Sequence, residues 1–188
     1  MSGTAEPEGP VPTVLVTLGT MHHPMERLMG WVERWIAGNP GRARFVVQYG
    51  ASRIPAGAEG FELCSHEEMA GWNARSQVVI TQGGPGGIMD SRDAGTLPIA
   101  IPRRPDLDEV VDDHQIRFCR YMAEAGLIRQ ATTEEEFRTE LEAALADPAA
   151  LTITVDRASI DAAVERTGML IEDLVRRRPS RSARRRRR

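Results

Sequence analysis

The sequence predicts an α/β fold: a single Rossmann-like domain with a parallel sheet of about six strands and helices on both faces. Short apolar runs alternate with segments of helical periodicity along most of the 188 residues, an order typical of parallel sheets. Several of the apolar runs end in a glycine, as at Gly19, Gly50 and Gly83. Because the carboxyl ends of parallel strands meet at one edge of a sheet, these glycines predict a ligand site at that edge.

The first half of the chain predicts four strands and two helices. Continuous apolar character indicates strands at residues 13–18, 44–49 and 77–81, with a shorter strand at 61–64. Between the first two strands, apolar residues recur at helical spacing: Leu28, Trp31, Val32, Trp35 and Ile36. We expect Pro24 in the first turn of this helix, Asn39-Pro40-Gly41 after its end, and both tryptophans in the core. A second helix is predicted at residues 67–73.

The second half continues the alternation. A fifth strand is predicted at 97–101, where Pro102 stops it, and a short sixth strand at 127–129. Helices are predicted at 111–124 and 133–146. A final amphipathic helix from about Asp156 to Val175 carries an apolar stripe, which is expected to pack on its own domain or else to dock on a partner chain.

The run Thr81-Gln82-Gly83-Gly84-Pro85-Gly86-Gly87-Ile88-Met89-Asp90 carries the strongest chemical signal. It joins a buried strand to a helix that is expected to continue to about Ala94, before Gly95 stops it. A glycine-rich turn at this position directs free backbone N–H groups and the positive end of a helix dipole at one point, which favours a phosphate. Asp90 lies one turn into the helix, within reach of a ribose.

Charge is distributed unevenly. The formal net charge of −3 includes nine arginines after Val175, so residues 1–175 carry −12. We therefore divide the chain into a flexible Gly/Pro-rich leader (1–12), the folded domain (13–175) and a disordered arginine-rich tail (176–188). The tail is either simply solvated or binds anionic membrane lipids or nucleic acid. The acidic body and the lack of interleaved aromatic and basic residues argue against specific nucleic-acid binding.

Several kinds of site are excluded or disfavoured. The chain has no lysine, which excludes a Walker-type phosphate lysine and a Schiff base. Cys64 and Cys119 have no CxxC partner and indicate core thiols of a reducing compartment. On a helix, Asp112-Asp113-His114 would point about 100° apart, so we expect no metal site there. His22 and His23 follow the first strand and are weak candidates for a general base.

Four ordered blocks between residues 13 and 130 resemble a known family. They are Val16-Thr17-Leu18-Gly19-Thr20 with Pro24 and Arg27-Leu28; Val47-Gln48-Tyr49-Gly50; the glycine turn with Asp90-Ser91-Arg92-Asp93-Ala94-Gly95; and Ile101-Pro102-Arg103-Arg104 with Asp112-Asp113-His114-Gln115. This pattern resembles the carboxyl-terminal, donor-binding domain of family 28 glycosyltransferases. It is closest to the small donor-binding subunits of two-component lipid-linked GlcNAc and exopolysaccharide transferases. The resemblance implies the C-terminal half of a GT-B glycosyltransferase.

The resemblance also implies roles for individual residues. Gly83, Gly84, Gly86 and Gly87 would meet the donor pyrophosphate through their backbone, without a metal or another cofactor. Asp90 would bind the ribose, and Gln115, assisted by Asp113 or His114, the hydroxyls of the donor sugar. Gly19 and Thr20 would line the cleft, while Arg103 and Arg104 would add positive charge near the phosphates. Gln82 stands where the family often has His, and Gly87 where it commonly has Ser.

A chain of this length holds one half of a two-domain transferase. The resemblance therefore implies a hexosyltransferase subunit that uses a nucleotide sugar, UDP-GlcNAc or a related UDP-hexose, by an inverting and metal-independent reaction. A membrane-anchored partner subunit would supply a lipid-linked or polysaccharide acceptor, so we expect a cytoplasmic protein held at the membrane face through that partner. The alternatives are a non-catalytic sugar-nucleotide-binding module and, less favoured, a nucleic-acid binder acting through the arginine tail.

Overall fold

The computed structural model describes residues 10–155 together with 165, 166, 168 and 169. The chain divides into two compact units, residues 1–153 and 154–188, and the first of these contains the whole sheet. Residues 10–155 contain six strands: β1 (Thr13–Thr17), β2 (Arg44–Gln48), β3 (Glu59–Phe61), β4 (Val78–Thr81), β5 (Ile99–Ala100) and β6 (Arg129–Gln130). The same range contains five α-helices: α1 (Glu26–Gly38), α2 (His66–Arg75), α3 (Pro85–Asp93), α4 (His114–Glu124) and α5 (Glu134–Ala146).

The six strands form one sheet in the order β3-β2-β1-β4-β5-β6, and every pair is parallel. This confirms the predicted Rossmann-like parallel sheet. The strand order reverses between β1 and β4, which are neighbours in register from Val14 opposite Val78 to Thr17 opposite Thr81. In sheets of this kind, ligands bind beyond the carboxyl ends of the strands at such a reversal.

Alternate residues of the strands pack on opposite faces of the sheet. One face is covered by α1 and α5, and its core includes both predicted tryptophans, Trp31 and Trp35. The other face is covered by α2, α3 and α4; there Leu15, Val46 and Val79 contact α2, while Ala100 packs with α3 and α4. Burial on both faces explains why the strands are continuously apolar in the sequence.

Two predicted elements are displaced. The third strand was expected at residues 61–64, but β3 ends at Phe61. Gln48 Nε2 donates a hydrogen bond to the Glu62 carbonyl, and Ser65 caps the N-terminus of α2. Residues 62–65 therefore form the loop that connects β3 to α2. The helix expected from Val111 begins at His114 instead, because the Asp112 carboxylate accepts a hydrogen bond from the His114 backbone N–H.

Other predictions fall outside the described residues or are limited by them. The carboxyl-terminal amphipathic helix lies mostly outside these residues, as do the arginine tail and positions 1–9 of the leader. Among the helices that the structure describes, none is long and apolar enough to cross a membrane.

Candidate functional site

The glycine turn between β4 and α3 forms an open helix N-terminus. Gly83 has φ +83°, and its N–H donates to Thr81 Oγ1 at 3.1 Å. Gly84 is the N-cap residue and supplies no side-chain cap, and Pro85 occupies the first helical turn. First-turn N–H groups have no carbonyl partner within their own helix. The amides of Gly86 and Gly87 are therefore available to an anion at the positive end of the helix dipole.

At most glycines of this turn, neighbouring atoms leave little room for a side chain. A Cβ atom at Gly83 would come within 2.8 Å of Cys119 Sγ and 3.0 Å of the Pro102 Cα, and one at Gly84 would overlap Gln82 Nε2. A Cβ at Gly87 would lie 3.3 Å from Thr17 Oγ1, whereas nothing lies within 4 Å of a Cβ at Gly86. The turn is thus packed against the protein on its inner side and open at Gly86.

Gln82 lies between this turn and the loop after β1. A Cβ at Gly19 would lie 3.1 Å from the same Gln82 Nε2 atom. The Gln82 Oε1 atom is buried and has no hydrogen-bond partner among the described residues. The Gln82 side chain therefore brings an amide with unused hydrogen-bonding capacity to the start of α3.

A cavity of about 270 Å³ opens beside the turn, between α2 and α3. Gly87 and Asp90 line it from α3; because they are three residues apart on a helix, they share one face. Gly19 and Thr20 line it from the loop after β1. The remaining lining residues are Thr17, Gln48, Leu63, Cys64, Ser65, His66, Met69 and Asn73.

Polar side chains end the strands beneath this cavity. Thr17 and Gln48 close β1 and β2 and line it, and Thr81 closes the neighbouring β4. Gln48 is 3% exposed, and its Oε1 accepts from the N–H groups of Leu18 (3.1 Å) and Gly19 (2.8 Å). Its Nε2 donates to the carbonyls of Gly19 (2.9 Å) and Glu62 (2.8 Å). The side chain therefore joins the two loops that form the cavity walls.

The cavity favours an uncharged ligand group that carries hydroxyls. Asp90 is the one acidic residue among its lining residues, and no arginine lines it. A phosphate inside would be repelled by Asp90, whereas hydroxyl groups would donate hydrogen bonds to it. Cys64, expected in the core, instead lines this cavity; partial burial and the nearby Glu68 raise the pKa of its thiol.

Cys119 differs from Cys64 because it is fully buried. Its Sγ contacts the Gly83 carbonyl at 3.5 Å, and burial raises the pKa of the thiol to about 12. The expectation of a core thiol is therefore met at this residue, which supports the inner side of the glycine turn. Both cysteines are free.

Arg103 is placed differently from the expectation that it faces the phosphates. It is 1% exposed, and its guanidinium donates to the carbonyls of Leu18, His23 and Glu109. Arg104 is exposed and forms an ion pair with Asp106. The physical reason is that Arg103 follows β5 and its guanidinium lies against the loop after β1. There it supplies donors to the carbonyls of Leu18 and His23, and it also binds the Glu109 carbonyl of its own loop.

The other predicted sugar-binding residues lie at the start of α4. Gln115 is 5% exposed, and its Oε1 faces the Arg103 N–H at 3.4 Å. His114 is exposed and paired with Asp112, and Asp113 pairs with Arg117 at 2.9 Å. None of these residues lines the cavity beside Asp90. Among the described residues, no group of three or more His, Cys, Asp or Glu side chains is arranged to hold a metal ion.

His22 and His23 also lie outside the residues lining the cavity. Their rings contact each other with centroids 4.2 Å apart. His23 Nδ1 lies 3.0 Å from the Asp108 carbonyl oxygen, which ties the loop after β1 to the loop after β5. The two histidines therefore help to join these loops, and a role for either as a general base stays a prediction.

Sequence reasoning missed one wall of the cavity. The stretch Leu63-Cys64-Ser65-His66, together with Met69 and Asn73 of α2, was given no part in the site. The signal that points to it is the rule already used for Gly19 and Gly83: the stretch follows a strand and reaches the same edge of the sheet.

Comparison with known proteins gives a likeness of fold. No protein-family model matches the chain, and no curated protein is significantly similar to it. Solved structures do match it. The glycotransferase of kitacinnamycin is 20% identical with a TM-score of 0.56, over 79% of this chain and 38% of that one. MurG of Acinetobacter baumannii is 18% identical with a TM-score of 0.52, over 78% of this chain and 44% of that one.

A third match is to a shorter protein. The solution structure of ALG13 is 19% identical with a TM-score of 0.50, over 76% of this chain and 88% of that one. The chain thus spans less than half the length of the kitacinnamycin and MurG structures, but most of the length of ALG13. At these identities the matches establish the fold: the chain has the architecture of one Rossmann-like half of a GT-B glycosyltransferase.

Proposed function

We propose that this protein is the donor-binding subunit of a glycosyltransferase that moves a hexosyl group from a nucleotide sugar, a UDP-sugar in the first instance. The acceptor, a lipid-linked or polysaccharide hydroxyl, is supplied by a partner subunit. One observation carries the proposal: the Asp90 cavity and the open N-terminus of α3 lie side by side, with Gly87 shared by both. A nucleoside and its diphosphate need that pair of sites next to each other.

The two sites differ in chemistry as the two parts of a nucleotide do. The cavity holds the nucleoside, with the Asp90 carboxylate accepting hydrogen bonds from the ribose hydroxyls. The diphosphate lies outside it, at the N–H groups of Gly86 and Gly87, where the helix dipole favours negative charge. Asp90 thereby helps to keep the phosphates out of the cavity, since two negative charges would repel each other there.

The sugar then extends from the diphosphate along the carboxyl edge of the sheet. The buried Gln82 Oε1 at the start of α3 has no partner among the described residues, and it would accept a hydrogen bond from a sugar hydroxyl once the side chain turns outward. Gln115 has its Oε1 facing Arg103, so its Nε2 is the atom left to donate to the sugar. Asp113 and His114 precede Gln115 at the start of α4 and are both exposed, so they are free to assist it.

Transfer would be a direct displacement. The acceptor hydroxyl oxygen forms a bond to the anomeric carbon, the bond from that carbon to the phosphate oxygen breaks, and the nucleoside diphosphate leaves with the electron pair. Amides already directed at the phosphates stabilise the charge that develops on the leaving group. The hydroxyl proton passes to a base, and the anomeric configuration inverts. The proposal requires no metal, because the α3 amides act on the diphosphate directly.

The acceptor side of the cleft is assigned to another polypeptide. This assignment rests on the family resemblance, which also implies that the partner is membrane-anchored and that the chain is held at the cytoplasmic face through it. The arginine tail would add attraction to anionic lipids.

Titration calorimetry of the full chain tests the proposal. UDP, UDP-GlcNAc, UDP-glucose and UDP-galactose are titrated with and without EDTA, and at least one is expected to bind in both conditions. Asp90→Ala is expected to weaken binding by about 1–3 kcal/mol, because a charge-assisted hydrogen bond to the ribose is lost.

Asp93→Ala is the matched control, since Asp93 is an exposed acid at the far end of the same helix and should leave affinity unchanged. Absence of binding by every UDP-sugar, alone and with a partner, would overturn the proposal. Equal affinities of the Asp90→Ala variant and the unaltered protein would remove the ribose role of this residue.

A sugar-nucleotide-binding module without turnover is the second candidate. It is favoured by the position of His22 and His23, which lie outside the residues lining the cavity and contact each other. Assay of hexosyl transfer with the partner present separates the two functions. Binding without transfer would favour the module, and a burst of nucleoside diphosphate release dependent on acceptor would favour the enzyme.

A further inference from the structure

A buried arginine that does not line the cavity supports the loop between β1 and α1. Arg103 Nη1 donates to the carbonyls of His23 (2.7 Å) and Glu109 (3.0 Å), and Nη2 donates to the carbonyl of Leu18 (3.0 Å). One guanidinium thus binds both ends of residues 18–23. Its Nε is buried without a partner among the described residues, so the three carbonyls retain this side chain despite the cost of burying its charge.

The side chain of Gln48 also holds this loop. The amide of Gln48 binds the N–H groups of Leu18 and Gly19 and the Gly19 carbonyl. Gly19 has φ +69°, a conformation that side-chain-bearing residues rarely adopt, and it lines the cavity with Thr20. The peptide that forms this cavity wall is therefore fixed between one glutamine and one arginine.

Glu109 connects Arg103 to the rest of the fold. Its side chain is 3% exposed and accepts from Arg27 Nε (3.0 Å) and Nη2 (2.8 Å) and from the Arg104 N–H (2.9 Å). Arg27 Nη2 also donates to the Pro102 carbonyl at 2.8 Å. Two arginines and one glutamate consequently join α1, the loop after β1 and the loop after β5 into one hydrogen-bonded cluster, although Arg27 is far from Arg103 and Glu109 in the sequence.

We propose that Arg103 is a positioning residue of the nucleotide site, which holds the 18–23 loop in the conformation that forms the cavity wall while its backbone N–H orients the Gln115 amide. The inference rests on the proposed function. It replaces the expectation of a direct phosphate contact, because every Nη hydrogen bond of Arg103 described above goes to a backbone carbonyl. The residue acts on the ligand through Gly19, Thr20 and Gln115.

Lysine cannot reproduce this arrangement. The three carbonyls lie around a planar guanidinium that presents donors from two Nη atoms, whereas an ammonium presents its three donors from one atom. Arg103→Lys keeps the charge and most of the volume, so it is expected to preserve the fold and to lose part of the loop geometry. Arg103→Ala leaves a space that a free guanidinium ion can enter.

The experiment measures UDP affinity by calorimetry and backbone hydrogen exchange of residues 18–23 in both variants. We expect roughly tenfold weaker binding for Arg103→Ala, a smaller loss for Arg103→Lys, and faster exchange in the loop, because hydrogen bonds to a charged group are lost. Guanidinium chloride at low millimolar concentration is expected to restore affinity to Arg103→Ala, while the same concentration of sodium chloride is not. General destabilisation would not be relieved in this way.

Arg92→Met is the matched control. Arg92 is a partly buried arginine on α3 that donates to the Leu127 carbonyl at 2.8 Å, away from the 18–23 loop. It should lower thermal stability without changing UDP affinity or loop exchange. If Arg103→Ala does not fold, the UDP affinity and loop exchange of Arg103→Lys are compared with those of Arg92→Met instead.

Two results would overturn the proposal: unchanged affinity in the folded Arg103 variants, or a loss of affinity that guanidinium does not restore and Arg92→Met reproduces. Failure of the proposed function is distinguishable from these. If the unaltered protein binds no nucleotide, the proposed function fails, while hydrogen exchange still decides whether Arg103 holds the loop. Unchanged exchange of residues 18–23 in the Arg103 variants would then reject the positioning role.

Discussion

The N-termini of α3 and α5 are built in opposite ways. At α5, Thr133 Oγ1 accepts from the Glu136 N–H at 3.2 Å, and the Glu136 carboxylate accepts from the Thr133 N–H at 3.2 Å. At α3, the N-cap is Gly84, and no side chain caps the helix. Capping satisfies first-turn amides internally, and its absence leaves them for an outside partner. The difference leaves the start of α3 open to the diphosphate that we propose, whereas the start of α5 is closed by its own side chains.

A capped helix start, that of α2, and the uncapped start of α3 both line the cavity. At α2, Ser65 forms a full capping box with Glu68, so the N–H groups of these two residues are satisfied as those of Thr133 and Glu136 are at α5. Ser65 nevertheless lines the cavity together with Asp90 of α3. One wall of the cavity is therefore a closed helix start and the other an open one, which restricts the anion-binding capacity to the α3 side.

The largest effect is expected from substitution at the inner side of the open turn. Gly83→Ala places a Cβ at 2.8 Å from Cys119 Sγ in a residue with φ +83°. Strain and overpacking together should lower the free energy of unfolding by roughly 3 kcal/mol. Gly86→Ala adds a Cβ with nothing within 4 Å and should be neutral or slightly stabilising. Urea unfolding of both variants measures the difference, and equal midpoints would contradict the packing described for this turn.

The sequence predicts the open turn better than the closed cavity wall. The pattern of Gly83, Gly84, Gly86 and Gly87 after an apolar strand indicates the α3 anion site because local backbone chemistry alone creates it. The wall at Leu63–His66 depends on where β3 stops, and Gln48 sets that through a hydrogen bond to Glu62, 14 residues away. Long-range contacts of this kind leave no periodic signal in the sequence.

Arg103 shows the same limit more strongly. The sequence assigns Arg103 to the phosphate because it carries no information on the carbonyls of Leu18 and His23, which another loop brings to the guanidinium. The sheet order, in contrast, follows from strand and helix alternation and from short, right-handed connections, so the parallel sheet was predictable. The sequence therefore predicts the glycine turn and the alternation of strands and helices, but it does not predict hydrogen bonds between side chains and loops that are distant in the sequence.

A smaller effect is expected when the open helix start is converted into a closed one. Gly84→Ser gives α3 a hydroxyl cap, and Gly84 has φ −77°, which a serine adopts without strain. The new Cβ meets the end of the flexible Gln82 side chain, which can move. The serine hydroxyl competes with phosphate for a first-turn amide, so UDP affinity should fall by about 1 kcal/mol, roughly five- to tenfold. Calorimetry at constant salt measures the loss.

Thr133→Ala is the reciprocal variant. Removing the cap of α5 should cost about 1 kcal/mol of stability and leave UDP affinity unchanged. The comparison between the helix starts fails if Gly84→Ser binds UDP as tightly as the unaltered protein, or if Thr133→Ala weakens nucleotide binding as much as Gly84→Ser does.

The smallest effect concerns pH, which should act on the closed helix starts. Backbone and side-chain hydrogen bonds from Thr132, with a further backbone bond from Thr133, lower the pKa of Glu136 from its ordinary value of 4.5. A lowered pKa in the folded state means that the carboxylate stabilises the protein above its ordinary pKa, and that this contribution is lost as the pH falls through the lowered value. The stability difference between the unaltered protein and Glu136→Gln should therefore shrink from about pH 5 to about pH 3. Glu140→Gln removes the same charge from α5 without touching the cap, and a difference that shrinks equally for this control would assign the effect to net charge rather than to the capping box.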